Sequence, residues 1–269
     1  MPEHDITNGN RLRGQVALVT GASAGIGRAV ALALARQGAD LAVNYLGYDE
    51  AAAELAGEVR GLGPRVLLLP ADVGDQAAVE RMVERTAAEL GRLDILVTCA
   101  AYSDREFFHV ADMVGFCRTI DVTMWGAFYA LRASANVMIR QGQGGNVVVI
   151  GSPHAHVPLP SCMAYNMAKA ALDSMAKTAA LELVGHRIRV NLVHPGWTDT
   201  PGERKFFSEE TLRQASAALP LGRLARPEEI ARGVVFLVDP ESAYITGTTL
   251  SIDGGSQLPW WSKRGSGDF

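Results

Sequence analysis

The chain has 269 residues, 48% of them hydrophobic, and a formal net charge of −4. We expect neither a nucleic-acid nor a membrane partner, because no basic patch, no apolar leader segment and no apolar run of about 18–20 residues occurs. The odd set of three cysteines is typical of a reducing compartment, so we expect a cytoplasmic protein.

Short apolar runs alternate with segments of helical periodicity along the whole chain. The predicted strands are 16–20, 39–45, 65–73, 93–100, 146–152, 188–196 and 248–255, and the predicted helices are 28–38, 49–63, 75–90, about 105–140, a segment around 164–183, and 227–238. Asp75 can cap the third helix, and Pro227 suits the first position of the last one. Strands that are apolar on both faces predict a single α/β domain with a Rossmann-type, doubly wound parallel sheet of about seven strands.

The two ends of the chain differ from the rest in composition. Residues 1–12 are polar, and we expect a flexible arm there, followed by the nucleotide-binding domain over 13–256 and a C-terminal tail over 257–269. Trp260 and Trp261 stand in this polar tail although indole rings favour burial. They can cover the active site, pack on a neighbouring subunit, or pack locally.

Three glycines separate the first strand from the first helix. Gly21, Gly25 and Gly27 have the spacing G-x-x-x-G-x-G. A pyrophosphate site needs a tight turn, close backbone approach and a helix N-terminus, and this position supplies all three. An ordinary tight turn is the alternative interpretation.

A tyrosine and a lysine stand four residues apart in AYNMAK, residues 164–169. In a helix, Tyr165 and Lys169 lie one turn apart on the same face. On these residues alone the pair can be a surface coincidence, a structural pair or an acid–base device.

Over about residues 12–255 the chain resembles the short-chain dehydrogenase/reductase family. The resemblance rests on TGASAGIG, on ADV at 71–73, on Ser152 thirteen residues before Tyr165, and on HPGWTDT at 194–200. PGWTDTPGE and the tail PWW are similar to glucose 1-dehydrogenase-like members. The cofactor contacts that the resemblance implies are Gly21, Ser23, Ala24, Gly25, Ile26, Gly27, Tyr45, Leu46, Asp72, Val73, Thr98, Cys99, Ala100, Tyr165, Lys169, Pro195, Gly196, Thr198 and Thr200.

The resemblance also implies a reaction and roles. It implies an NAD(P)-dependent alcohol dehydrogenase or carbonyl reductase acting on a small secondary alcohol, which includes sugars. Tyr165 would be the general acid/base, Ser152 would donate a hydrogen bond to the substrate oxygen, and Lys169 would bind the nicotinamide ribose. We expect the positive charges of Lys169 and the oxidised nicotinamide to lower the pKa of Tyr165.

The chain departs from the family in one cofactor-contacting segment and at one catalytic position. The usual N-N-A-G after the fourth strand is replaced by residues 98–101, Thr-Cys-Ala-Ala. The asparagine that holds a proton-relay water is replaced by Thr123, whose hydroxyl can bond a carbonyl in the preceding turn. The resemblance implies that the main-chain carbonyl at this position holds the water, so the replacement need not abolish the relay. A low-turnover nucleotide-binding regulator or scaffold therefore stays open as the alternative function.

Cofactor selectivity is open between NAD and NADP. An acidic residue at the end of the second strand would select NAD, but Tyr45 stands there. An arginine would select NADP, but Ala24 and Leu46 occupy the corresponding positions.

Several residues are candidates for the substrate pocket. We predict His154, Tyr102 and Trp197 as substrate contacts, with His156, Phe206 and Phe207 nearby and a mobile lid over 202–214. A solvated histidine loop and simple packing of the lid are the alternatives. His154 and His156 are two residues apart, which is not a helical ligand spacing, and we predict no metal site.

The resemblance further implies a homotetramer. The two long helices are rich in alanine and apolar residues, which favours packing between subunits. The residues named for this packing are Ala127, Ala130, Leu131, Ala170, Ala171 and Met175.

Overall fold

Seven parallel strands form one sheet in this computed structural model, which describes residues 10–259. The sheet order is β3-β2-β1-β4-β5-β6-β7. The strands are β1 (Val16–Thr20), β2 (Asp40–Tyr45), β3 (Val66–Pro70), β4 (Ile95–Thr98), β5 (Gly145–Ile150), β6 (Ile188–Pro195) and β7 (Thr249–Ile252). The predicted fold class and strand count are confirmed.

Helices cover both faces of the sheet. They are α1 (Gly25–Arg36), α2 (Asp49–Leu62), α3 (Gln76–Leu90), α4 (Met113–Ile120), α5 (Gly126–Gln141), α6 (Met163–Leu183), α7 (Glu209–Ala217) and α8 (Pro227–Val238). A π-helical turn, Asp121–Trp125, joins α4 to α5, and 3₁₀ turns occur at Pro153–Ala155, Val184–His186, Glu203–Lys205 and Pro240–Ser242.

Local sequence signals locate most helix ends correctly. The Asp75 carboxylate accepts a hydrogen bond from the Ala78 N–H at 3.1 Å, and Pro227 begins α8. The prediction of a helix from about 105 is wrong, because α4 begins only at Met113. The Asp112 carboxylate caps α4 by accepting from the Gly115 N–H at 3.2 Å, and the residues before it form a loop.

The hydrophobic core has two layers, one on each face of the sheet. One layer packs α1, α2 and α8 against the strands, and the other packs α3, α5 and α6. Ala127, Ala130 and Leu131 belong to the second layer and are buried within the subunit. They are therefore unavailable for the subunit packing predicted from the sequence, whereas Ala170 is exposed and Ala171 and Met175 are half-buried.

The described chain ends pack on the domain. Leu12, placed in the predicted flexible arm, is buried in the core, and Arg11 pairs with Asp239 at 2.8 Å. At the other end, the Gln257 amide donates to the Asp253 carboxylate at 2.9 Å. Residues 1–9 and both tail tryptophans lie outside the described residues.

Within 10–259 every helix is too short or too polar to span a membrane.

Buried side chains tie the carboxyl ends of neighbouring strands together. The Asn44 side chain accepts from the Gly21 N–H at 3.2 Å and donates to the carbonyls of Leu69 and Ala71 at 3.2 and 3.0 Å. The Thr20 hydroxyl accepts from the N–H of Cys99 at 3.0 Å. These bonds hold the ends of β1 to β4 at the point where the connections diverge to opposite sides, which is where open α/β sheets bind ligands.

Gly27 is the position in α1 where a side chain would do most damage. A Cβ there would lie 2.3 Å from the Gly21 carbonyl oxygen, which is backbone and cannot move aside. We expect Gly27→Ala to lower the free energy of unfolding by about 1–3 kcal/mol, measured by urea denaturation. Gly57→Ala is the matched control, since Gly57 is an exposed glycine of α2 with nothing near its Cβ position. Gly57→Ala should raise the free energy of unfolding by about 0.5–1 kcal/mol. Equal losses of that free energy in both variants would contradict the steric argument.

Candidate active site

The glycine turn after β1 has the geometry of a phosphate cradle. Gly21 and Gly25 have φ of +62° and +53°, values that favour glycine. A Cβ on Gly21 would lie 2.7 Å from the Ala100 Cα, so the turn and the end of β4 touch. The N-cap residue of α1, Ala24, makes no side-chain cap hydrogen bond, which leaves the first N–H groups of the helix without a side-chain acceptor.

The segment after β4 lines the same crevice. Thr98 is buried, and its Oγ1 has no hydrogen-bond partner among residues 10–259. An unpaired buried hydroxyl is costly, so this atom is suited to a ligand. Burial raises the pKa of the Cys99 thiol to about 12, with Lys169 opposing the shift, so Cys99 is a neutral packing residue at physiological pH.

The predicted cofactor contacts at the ends of β2 and β3 include side chains that already have partners in the protein. The Tyr45 side chain is buried, and burial followed by the neighbouring Asp49 raises the pKa of its hydroxyl. Asp72 accepts from the Gly74 N–H at 2.9 Å and pairs with Arg118 at 2.9 Å. Burial favours the neutral form of Asp72, but Arg118 and the Gly74 N–H hold its pKa below the usual value. Leu46 is 52% exposed just beyond β2.

Loops after β3 and β6 complete the crevice. Val73, in the loop after β3, is buried and packs closely on the backbone of Gly126. A Cβ on Gly126 would lie 2.7 Å from the Val73 Cγ2. A Cβ on Gly25 would lie 3.1 Å from the Thr200 methyl group, so the loop after β6 touches the glycine turn. The remaining predicted contacts lie in the glycine turn and at the end of β6. In the glycine turn Ser23 is buried and Ile26 is half-buried. Pro195, Gly196 and Thr198 lie at the end of β6.

Ser152, Tyr165 and Lys169 meet beside this crevice. Ser152 follows β5, Tyr165 lies in the first turn of α6, and the Lys169 Nζ lies 5.4 Å from the centroid of the Tyr165 ring. The Lys169 ammonium donates to the Ile150 carbonyl at 2.7 Å, which ties α6 to the end of β5. The sequence alone left the Tyr165–Lys169 pair ambiguous, and the fold brings both residues to the serine.

Burial dominates the titration of Tyr165 in the protein alone. Desolvation raises the pKa of the hydroxyl to about 12; the hydrogen bond with Ser152 lowers it, Glu203 raises it and Arg105 lowers it. The lowered pKa expected from Lys169 is therefore not found in the protein without cofactor. In this state Tyr165 is an acid that keeps its proton, and its ionisation needs an additional positive charge nearby.

Lys169 carries a destabilised positive charge. The side chain is 3% exposed, and burial lowers its pKa to about 8 although Cys99 and Asp173 raise it. A lysine with this pKa is partly neutral just above pH 7, so it can hold or release a proton in the range where enzymes work.

Thr123 makes a different contact from the one predicted. It lies fully buried in the π-helical turn and donates its hydroxyl hydrogen to the Tyr102 carbonyl at 2.8 Å, while accepting from the Tyr102 N–H at 3.0 Å. The hydroxyl does not bond a carbonyl of the preceding helical turn, because the loop after β4 offers both a donor and an acceptor. Thr123 therefore fixes the loop that begins with Tyr102.

A charged pair at the lid was missed by the sequence interpretation. The Arg105 guanidinium carbon lies 3.8 Å from the centroid of the Phe206 ring, and Arg105 pairs with Glu203 at 3.6 Å. Glu203 also accepts from the Trp197 indole at 3.0 Å. The Arg105 Nε is buried without a hydrogen-bond partner among the described residues. The only sequence signal was Glu203 in the predicted lid; Arg105 lies in a stretch predicted as helix.

The two histidines after Ser152 diverge. The His154 ring packs edge-on against Tyr165, with centroids 6.4 Å apart, and its Nδ1 bonds the Val157 carbonyl at 2.9 Å. The His156 ring instead bonds the buried Asp173 at 3.0 Å. Tyr102 is 40% exposed and contributes its backbone to Thr123. His154 thus lies against the predicted acid/base, and His156 lies in a separate cluster.

The crevice fits a dinucleotide cofactor on its own geometry. The glycine cradle, the uncapped start of α1 and the orphaned Thr98 hydroxyl supply donors along one edge, and Lys169 lies at the far end. These features together define the class as a doubly wound, dinucleotide-binding protein with a tyrosine, a lysine and a serine beside the nucleotide crevice.

Comparisons with known proteins agree with that class. A family described as enoyl-(acyl carrier protein) reductase matches residues 21–257. L-Rhamnose 1-dehydrogenase (NAD(P)(+)) of Sphingomonas sp. is 36% identical over 91% of this chain and 96% of its own, and glucose 1-dehydrogenase 2 of Bacillus subtilis is 31% identical over 92% and 96%. The crystal structure of acetoin dehydrogenase from Enterobacter cloacae aligns with a TM-score of 0.85 and 35% identity over 93% of this chain and 98% of its own.

The chain belongs to the short-chain dehydrogenase/reductase family, and it is a nicotinamide-dependent oxidoreductase. The resemblance found in its sequence motifs is thereby confirmed.

The low pKa of Lys169 predicts a pH-dependent stability. Between about pH 8 and the unfolded value of 10.5 the unfolded chain binds more protons at this site, so the lysine's destabilising effect disappears as pH rises. We expect the stability of Lys169→Met relative to wild type to be greatest at pH 7 and to fall by roughly 2–3 kcal/mol between pH 7 and pH 10, at about 1.4 kcal/mol per pKa unit. Urea denaturation at several pH values measures it.

Lys205→Met is the control, because Lys205 is exposed in the lid segment. Its stability difference from wild type should show no comparable narrowing between pH 7 and 10. A constant difference for Lys169→Met would mean that Lys169 is not destabilised by burial.

Proposed function

We propose that this protein interconverts a small secondary alcohol and the corresponding carbonyl compound, with Tyr165 as the general acid/base. The observation that carries the proposal is the meeting of Ser152, Tyr165 and Lys169 beside the glycine cradle. A bound nicotinamide cofactor would supply the hydride acceptor or donor.

Each of the three side chains has a distinct role. In carbonyl reduction the Tyr165 hydroxyl gives its proton to the substrate oxygen, and in alcohol oxidation the tyrosinate takes it back. Ser152 donates a hydrogen bond to the same oxygen and stabilises its developing charge. Lys169 would hold the nicotinamide ribose, and its positive charge favours tyrosinate once the oxidised cofactor adds a second one.

A polyhydroxylated substrate, such as a sugar, suits the chemistry of the pocket. Arg105 offers a buried Nε–H that has no hydrogen-bond partner within residues 10–259, Glu203 offers carboxylate oxygens, and His154 offers an imidazole beside Tyr165. A pocket with both donors and acceptors suits hydroxyl groups, because each hydroxyl can donate one hydrogen bond and accept others. Two of the relatives are named for rhamnose and glucose, which supports this substrate class.

We further propose a cytoplasmic homotetramer. Exposed apolar side chains on α5 and α6 support the assembly, including Phe128, Met167 and Leu181 at 38%, 51% and 78% exposure. Such residues on adjacent helices are suited to helix-to-helix contacts between subunits.

Removing the Tyr165 hydroxyl tests the acid/base role. We expect Tyr165→Phe to lower kcat by at least about 100-fold on the best substrate of a panel of sugars, polyols and ketones, because only the transferable proton is lost. Cofactor absorbance gives the rate, and quenching of protein fluorescence gives the cofactor Kd, which should stay near the wild-type value.

Tyr244→Phe is the matched control, since Tyr244 is fully exposed; it should keep wild-type turnover. Near-normal turnover in Tyr165→Phe would contradict the mechanism. Cofactor binding by the wild type, with no turnover on any substrate of the panel, would favour the low-turnover regulator instead.

Leu46 provides a test of cofactor selectivity. No acidic or basic residue stands at the end of β2, so we propose weak discrimination between NAD and NADP. Leu46→Arg should shift the ratio of kcat/KM values toward NADP by about tenfold, roughly 1.4 kcal/mol, because the guanidinium can pair with the 2′-phosphate. Leu62→Arg adds the same charge at an exposed position of α2 and should leave the ratio unchanged. Equal shifts in both variants would show a general charge effect only.

A further inference from the structure

Three side chains from different elements converge behind the catalytic lysine. His156 follows the 3₁₀ turn after Ser152, Asp173 lies one turn beyond Lys169 in α6, and His194 lies near the end of β6. One ligand atom from each residue lies within 4.8 Å of the other two. The His194 Nε2 lies 2.7 Å from Asp173 Oδ1, and the His156 Nε2 lies 3.0 Å from Asp173 Oδ2.

Two imidazoles and one carboxylate are a typical donor set for Zn²⁺. Zinc sites with three protein ligands of this kind keep a fourth position for water. From this juxtaposition we propose that His156, Asp173 and His194 form a binding site for a single divalent transition-metal ion, with zinc as the ion of choice. Nothing in the predicted oxidoreductase mechanism uses these three side chains.

The surroundings define one buried wall and one open side. The side chains of Asp173 and His194 are 7% and 1% exposed, whereas that of His156 is 56% exposed. His194 is fixed closely against the backbone, since a Cβ on Gly151 would lie 2.5 Å from its Cδ2. The ion would therefore approach from the solvent side, where His156 can adjust.

Binding requires only small movements at this open side. Metal–ligand distances of about 2.0–2.2 Å in a tetrahedral site separate the ligand atoms by roughly 3.3–3.6 Å. His194 can stay in place if the Asp173 carboxylate turns and the His156 ring moves outward, each by less than about 1 Å. Lys177 lies 3.7 Å from Asp173 Oδ2 and competes with a cation, but its side chain is 52% exposed and can turn to solvent. Lys169 lies one helical turn before Asp173 in α6 and carries a second positive charge. The Asp173 carboxylate must offset the repulsion between these lysines and the bound cation.

The bound ion would connect the loop after Ser152 to α6 and β6. It binds the folded chain through three segments that are distant in sequence, so it should stabilise the folded state. The inference concerns the protein's affinity for zinc and does not depend on the oxidoreductase mechanism.

Zinc titration of the untagged, EDTA-treated protein tests the site. We expect one Zn²⁺ per subunit by isothermal titration calorimetry and a rise in Tm of roughly 5 °C or more at saturating zinc. Co²⁺ should give visible absorption bands of a low-symmetry site with nitrogen ligands. His156→Ala should weaken zinc binding at least tenfold and abolish the rise in Tm, and it should fold because this side chain is exposed.

His186→Ala is the matched control, because it removes another exposed imidazole at the end of a 3₁₀ turn. It should keep the wild-type zinc affinity and Tm shift. Wild-type protein that binds zinc no more tightly than His156→Ala would overturn the proposal and leave the three residues as a hydrogen-bonded link. Equal losses in both histidine variants would likewise overturn it, since they would show adventitious surface binding.

Discussion

The parallel pairing of all seven strands is the constraint on which the site depends. Parallel strands bring all their carboxyl ends to one edge of the sheet, so residues far apart in sequence become neighbours there. The glycine turn follows β1, the Thr98 segment follows β4 and Ser152 follows β5. Asn44 and Thr20 hold the ends of β1, β2, β3 and β4 together by side-chain hydrogen bonds to backbone groups.

Burial at this edge of the sheet shifts the pKa values of Tyr165 and Lys169 in opposite directions. Desolvation raises the pKa of Tyr165 and lowers that of Lys169, so both neutral forms are favoured in the protein alone. The effect of burial is larger than any single charge interaction at either residue. Because burial favours the protonated hydroxyl, an additional positive charge beside Tyr165 would be needed to favour tyrosinate.

The departures from the family pattern have local structural explanations. Thr123 lies in a π-helical turn, a feature that often marks functional sites, and its hydroxyl is fully used by the backbone of Tyr102. The position thus holds the loop that leads to Arg105 at the lid. The Cys99 thiol is neutral and half-buried, which is consistent with a packing role beside the crevice.

Much of this protein could be predicted from the sequence by itself. Apolar runs alternating with helical periodicity determined the fold class, and G-x-x-x-G-x-G after the first strand indicated the nucleotide site, because each is a local pattern with a local physical meaning. Ser152 and the Tyr165–Lys169 pair became candidates for the site only through the resemblance to the family. Only the tertiary structure decided which distant side chains meet. Arg105 with Glu203 and Phe206, Thr123 with Tyr102, and His156 with Asp173 and His194 pair across long separations that no periodicity encodes. The same holds for the two pKa values, since desolvation depends on what surrounds a side chain in space and not on its neighbours in the chain.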